Sequence, residues 1–259
     1  MSQHVTIDVT GPFDLREIAL MGFGHRDESG FDGVMRMAFC LDGDYERPVG
    51  VAARQQQDTL LIDVDSGAAP LGSSELAAVR RQVARVVSLD HDGEAFSQLC
   101  LADPALAAVH ARAPGFRPAL FYSPYEAAIW SVISARRPRA QGITLRTRLA
   151  EQSGTAFEVA GERTLAVPTP SQLLAVEAVP GLPADRIPRL HAVAEAARAG
   201  RLDADRLRTL PPDEDTLTCP RPRRVGRGPR SSRHTDSITS CPTLSWPRSA
   251  RPGDPSAPG

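Results

Sequence analysis

Lysine and asparagine are absent from all 259 residues, so the whole Lys/Arg complement of 30 is arginine. Lysine is ordinarily among the commonest residues. Both missing types have A-rich codons, which points to a gene of very high G+C content and needs no functional cause. Cysteine is sparse: Cys40, Cys100, Cys219 and Cys241 stand far apart, with no C-x-x-C pair and no histidine at ligand spacing. Neither a metal site nor a disulfide frame is expected from them. Long apolar runs are also missing, so nothing reaches the roughly 18 residues that a membrane span needs. Met1 to Asp14 has neither the basic start nor the apolar stretch of a secretory signal. A soluble, cytoplasmic chain without a membrane partner is the expectation. Its length, with 41% hydrophobic and 24% charged residues, allows one large or two modest domains with a true core.

The net charge of -1 conceals a division. Residues 219–259 carry eight arginines against only Asp236 and Asp254, a local charge of +6, which leaves -7 on residues 1–218. The same segment holds eight prolines, seven serines and four glycines, with few large apolar side chains (Val225, Ile238, Leu244, Trp246). Such a composition buries too little surface to offset chain ordering, so a disordered Arg/Pro/Ser-rich tail is expected there.

Residues 1–72 read as a small antiparallel sheet domain. His4–Val9 alternates with period two, and the runs Val34–Leu41, Pro48–Arg54 and Thr59–Asp65 follow across polar turns, in the spacing of a meander. Phe13–Phe23 suits a short helix, and Gly22-Phe23-Gly24 reads as a turn. Residues 73–218 read as helical, with about seven helices. Ser74 is placed to cap a helix whose apolar face is Leu76, Val79, Val83 and Val86. Asp103-Pro104 offers a cap followed by proline at the first helical position. Ser123-Pro124-Tyr125-Glu126 and Thr169-Pro170-Ser171-Gln172 both have the form of a capping box. Asp185–Ala199 is a further helix ended by Gly200. Arg80, Arg81 and Arg85 read as a solvated helix face, and His25, His91, His110 and His191 show no partner at useful spacing.

The stretch 113–154 (APGFRPALFYSPYEAAIWSVISARRPRAQGITLRTRLAEQSG) resembles the central segment of the DNA-3-methyladenine glycosylase II family, among the helix-hairpin-helix DNA glycosylases. That family carries a "PG-hydrophobic-R-P" turn, a "P-[FY]-E" helix start, a loop, and a helix ending "R-L-[AV]-x-x-x-G". Residues 167–210 are similar to the family's next part, "F-P-T-P-x-x-L" and then "G-x-L-D-x-x-x-L". The resemblance spans about 1–215, strongest from 113 onward. It implies an α+β chain, a sheet domain followed by a helical domain. It also implies a DNA repair enzyme that flips an alkylated base out of the duplex and hydrolyses its N-glycosidic bond with the help of an aspartate. The implied partner is double-stranded DNA, the implied state a monomer, and no metal or organic cofactor is required.

The family's hairpin motif, "L-P-G-[IV]-G-x-[WF]-[ST]-A", should follow Leu210, with the catalytic aspartate further on. Residues 215–228 read DTLTCPRPRRVGRG instead, and Val179-Pro180-Gly181-Leu182-Pro183 reads as an interhelical turn. No catalytic residue is therefore transferred, and the helical domain is expected to be incomplete and inactive. The loop after the Pro124-led helix carries the family's minor-groove wedge. Here it offers Arg136 and Arg137 as DNA-binding candidates, able to enter a groove or meet phosphate. Phe13, Phe23 and Trp130 are the base-pocket candidates, each also readable as core. The tail has two readings: the product of a shifted reading frame, or a basic extension that binds nucleic acid. Three roles follow: a glycosylase-family repair protein without activity, a non-catalytic DNA-binding or regulatory protein using its loop and tail arginines, or an unstable fragment.

Overall fold

Period-two patterning sets four strands, β1 (Gln3–Asp8), β2 (Met35–Leu41), β3 (Asp44–Gln56) and β4 (Thr59–Asp65). The computed structural model describes residues 3–21, 30–67 and 69–210. Strands β2, β3 and β4 form the expected meander, but β1 pairs antiparallel with β4, giving the order β1-β4-β3-β2. Between β1 and β2 the chain forms α1 (Leu15–Leu20), capped by Asp14. Phe23, the Gly22-Phe23-Gly24 turn, His25 and the tail lie outside the described residues.

One face of the sheet is built from large side chains. Ile7, Met35, Met37, Phe39, Val49, Val51, Leu60, Ile62 and Val64 pack with Leu15 and Ile18 of α1 and with Val79, Val83 and Val86 of α2 (Ser73–Val86). The opposite face is made of small residues, Ala38, Gly50 and Ala52. Against it lies a hairpin from within the helical half, β5 (Thr155–Val159) and β6 (Glu162–Ala166). A Cβ on Gly50 would stand 2.7 Å from Cβ of Phe157, so glycine is what admits the hairpin at this distance.

The remaining helices are α3 (Gly93–Ala102), α4 (Pro104–His110), α5 (Pro124–Ser134), α6 (Arg139–Ser153), α7 (Pro170–Leu174), α8 (Ile187–Arg198) and α9 (Ala204–Thr209). Asp103 caps α4 ahead of Pro104, and Thr169 with Gln172 completes a capping box at α7. Ser123 accepts from the Glu126 amide at 3.1 Å and starts α5. At α2 the expected cap is displaced: Gly72 occupies the N-cap, its amide donating to Glu75 Oε2 at 2.7 Å, and Ser74 lies inside the helix. Gly200 at φ +67 stops α8.

Tyr125, Ile129, Val132 and Ile133 of α5 form a second core with Leu145 and Leu149 of α6, Leu173, and Leu190, Val193 and Ala194 of α8. Cys40 and Tyr45 of the sheet join this core, Tyr45 stacking on Tyr125 with ring centroids 5.1 Å apart. Burying polar groups requires partners, and the sheet and helices are stitched by such groups. Gln82, fully buried, accepts from the Asp42 amide and donates to the Cys40 and Tyr122 carbonyls. Arg85 is correspondingly not a solvated residue, because it pairs with Asp42 and donates to the Tyr122 carbonyl at 2.9 Å. Among the described residues no helix is long and apolar enough to cross a membrane.

Candidate nucleic-acid interface

The loop between α5 and α6 is held in a defined shape. Arg136 adopts φ +60, a left-handed conformation that costs a non-glycine residue about 1 kcal/mol or more. The Arg137 amide donates to the Ser134 carbonyl at 3.0 Å, and Pro138 takes the N-cap of α6, its carbonyl accepting from Gly142 at 3.2 Å. The Arg186 guanidinium reaches the Val132 carbonyl in the last turn of α5 at 3.4 Å, a cation where the helix dipole is negative. The loop thus presents Arg136 exposed and Arg137 half-buried.

Trp130 lies at the contact between α5 and α6, where a Cβ on Gly142 would come within 2.8 Å of its ring. Phe13 sits in the sheet-side core with the Arg117 guanidinium 5.7 Å from its ring centre. The two aromatics belong to different cores and do not converge on one pocket.

Several carboxylates near the cores are engaged, whereas Glu17 on α1 has its Oε2 buried without a hydrogen-bond partner and its carboxyl pushed above the ordinary range by burial. Glu126 meets Arg146, and Asp42 meets Arg85. Burial raises the Asp42 carboxyl above its ordinary range, with Arg85 opposing. Asp92, Asp103 and Asp203 accept helix N-terminal amides. Burial also pushes the Cys40 thiol and the Tyr125 phenol upward, so both stay neutral and unsuited to nucleophilic attack near pH 7. Among the described residues no group of three His, Cys, Asp or Glu could hold a metal ion. His191 bonds the Val176 carbonyl at 2.9 Å.

A cavity of about 370 Å³ between β2, α6 and the hairpin is lined by Arg36, Tyr122, Arg146, Glu162 and Arg163, among others. Two of its arginines are already committed, Arg36 to Asp32 and the Val159 and Ala160 carbonyls, and Arg146 to Glu126. An open groove on another part of α6 brings Arg137 together with Arg148 and Gly181. The sequence points to Arg137 through the loop and to a turn at Gly181, but not to Arg148 or to the meeting of the three, since no local pattern joins positions this far apart.

The "PG-hydrophobic-R-P" turn, by contrast, has a structural explanation. A Cβ on Gly115 would stand 2.6 Å from the Asp14 amide, which donates to the Gly115 carbonyl at 2.9 Å. Arg117 donates to the carbonyls of Thr10, Pro12, Ser88 and His91, tying the end of β1 to the loop after α2.

No protein-family model and no curated protein matches the sequence. Solved structures do match. A 3-methyladenine DNA-glycosylase from Archaeoglobus fulgidus is similar with a TM-score of 0.64 at 19% identity, over 81% of this chain and 71% of that one. MBOgg1, solved in complex with a low affinity DNA ligand, gives 0.57 at 17% identity over 82% of this chain and 68% of that one. The 8-oxoguanine glycosylase/lyase of Clostridium acetobutylicum, in its apo form, gives 0.51 at 17% identity over 83% and 71%. This chain shares its fold, a four-stranded sheet with a helical half, with these DNA glycosylase structures.

Proposed function

We propose that this chain is a cytoplasmic, monomeric DNA repair protein of glycosylase descent that holds alkylated duplex DNA and does not excise the base. The observation that carries the reading is the α5–loop–α6 unit. Within a glycosylase fold, it sets Arg136 exposed and Arg137 half-buried, on a loop fixed by Pro138 and by Arg186. Guanidinium groups so placed suit phosphate oxygens and a narrow minor groove. A solved neighbour was captured with a DNA ligand, which supports DNA as the partner.

Inactivity rests on chemistry. Hydrolysis of an N-glycosidic bond develops positive charge on the sugar, and an aspartate beside it must be placed to within about 0.5 Å to help. The sequence after Leu210 lacks both the hairpin motif and a carboxylate in an apolar helical setting. Glu126, Asp42, Asp92, Asp103 and Asp203 are held by partners or helix ends. The second reading, a non-catalytic DNA-binding or regulatory protein, is favoured by the eight tail arginines. Incubation with methylated duplex under single-turnover conditions tests both: binding without release of 7-methylguanine or 3-methyladenine is expected. Release would overturn the inactive reading.

A further inference from the structure

The first turns of α6 and the turn at residues 179–182 wall an open groove of about 320 Å³, lined by Arg137, Gln141, Thr144, Leu145, Arg148 and Gly181. Gln141, Thr144 and Arg148 recur at three- and four-residue spacing, so they form one stripe along the helix. Arg137 enters from the loop that precedes it. Gly181, at φ +85, leaves the facing wall bare: a Cβ there would stand 3.0 Å from Nη1 of Arg148. That same Nη1 donates to the Pro180 carbonyl at 3.1 Å, which fixes the guanidinium at the rim and leaves its other N–H groups for a ligand. Arg137 makes one long bond, 3.4 Å, to the Ala135 carbonyl.

No carboxylate of a described residue pairs with Arg137 or Arg148; the nearby Asp185 serves Arg186 and Arg189. In the cavity beside β2, by contrast, Arg36 and Arg146 are paired with Asp32 and Glu126. Two forked cations and an amide side chain over an apolar floor, with no competing acid, make a donor-rich set matched to phosphate oxygens.

We propose that this groove seats a backbone phosphate of duplex DNA, with Arg137 and Arg148 as its two cationic arms. The proposal rests on the DNA-binding reading above and extends it, carrying the DNA path from the Arg136 loop along α6 to the Gly181 turn. The contact would be sequence-independent, positioning the duplex without reading its bases.

Fluorescence anisotropy of a labelled duplex, measured on the full chain across a salt series, tests it. Arg148→Gln should weaken binding several-fold and lower the slope of log affinity against log salt by about one, the loss of one phosphate contact. Arg148→Lys should keep the slope, because the charge remains. Thr144→Glu, a change on an exposed helix position, should weaken binding further by placing a carboxylate in the groove. Arg163→Gln, on β6 away from the groove, should match the wild type. Wild-type slopes in both Arg148→Gln and Thr144→Glu, alongside weakened binding by Arg136→Gln, would overturn the groove while leaving the DNA-binding reading intact. Absence of salt-dependent binding by the wild type would overturn both. Sodium phosphate at matched ionic strength should compete no better than chloride; phosphate-specific displacement abolished by Arg148→Gln would assign the groove to free phosphate instead.

Discussion

Arg146 donates from Nε and Nη2 to the same oxygen, Oε1 of Glu126, at 3.0 and 2.6 Å. The pair joins α6 to α5, with side chains 11% and 2% exposed, so it works as a lock between two helices that also carry the arginine loop. Removing one partner of a buried pair strands the other charge. Arg146→Met should therefore destabilise the fold by about 3–5 kcal/mol, whereas Arg146→Met with Glu126→Leu should recover much of that loss. Urea unfolding of the single and double variants checks this.

Arg117 is 4% exposed and spends its guanidinium on four carbonyls, with no carboxylate partner among the described residues. Burial pulls its pKa down, opposed by Asp92, though an arginine remains charged in any case. An ammonium cannot span the same four acceptors, so Arg117→Lys should cost about 2 kcal/mol or more through unmet carbonyls. A thermal melt reads the loss. A melt unchanged from the wild type would show that water replaces the guanidinium without penalty.

The Asp32 carboxyl is held down to about 2, chiefly by its hydrogen bonds from Arg36. Its folded pKa lies below the unfolded one, so the stability it contributes is present above roughly pH 4. That contribution is lost as pH falls toward 2. Carboxyl NMR titration should find this low value, and Arg36→Gln should return it toward the ordinary aspartate range. Because Asp32 is exposed, the change should appear in the titration and hardly at all in a neutral-pH melt.

Phe96, Leu99, Leu101, Leu106 and Val109 are exposed on α3 and α4, at 42%, 63%, 60%, 43% and 67%. Large apolar side chains left exposed are an aggregation liability. Leu99→Gln with Val109→Gln should raise solubility and reduce dye binding to exposed apolar surface. The melting point should move little, because substitutions at exposed positions typically change stability by less than about 0.5 kcal/mol. A large loss of stability would mean that these side chains are covered in solution.

Much of this fold was legible because its signals are local. Alternation gave the strands, and Asp103, Ser123 and Thr169 ahead of prolines gave three helix starts. What was not legible depends on distant partners. The place of β1 beside β4 is a pairing between segments far apart in the chain, from Asp8 with Thr59 to Gln3 with Val64. The hairpin at residues 155–166 makes sense only once Ala38, Gly50 and Ala52 are seen to leave a shallow face for Phe157. Arg85 looks solvated in sequence because its partners, Asp42 and the Tyr122 carbonyl, lie far away along the chain. At the site, the loop arginines were visible through family resemblance, whereas Arg148 meets the turn at Pro180 across 32 residues.

The central claim, DNA binding without base excision, is tested most directly by a single-turnover reaction of the full chain on methylated duplex, with bound DNA and free base measured in the same sample. The account predicts a salt-sensitive complex and no released 7-methylguanine or 3-methyladenine. Released base at a rate above the protein-free control, or no complex even at low salt, would contradict it.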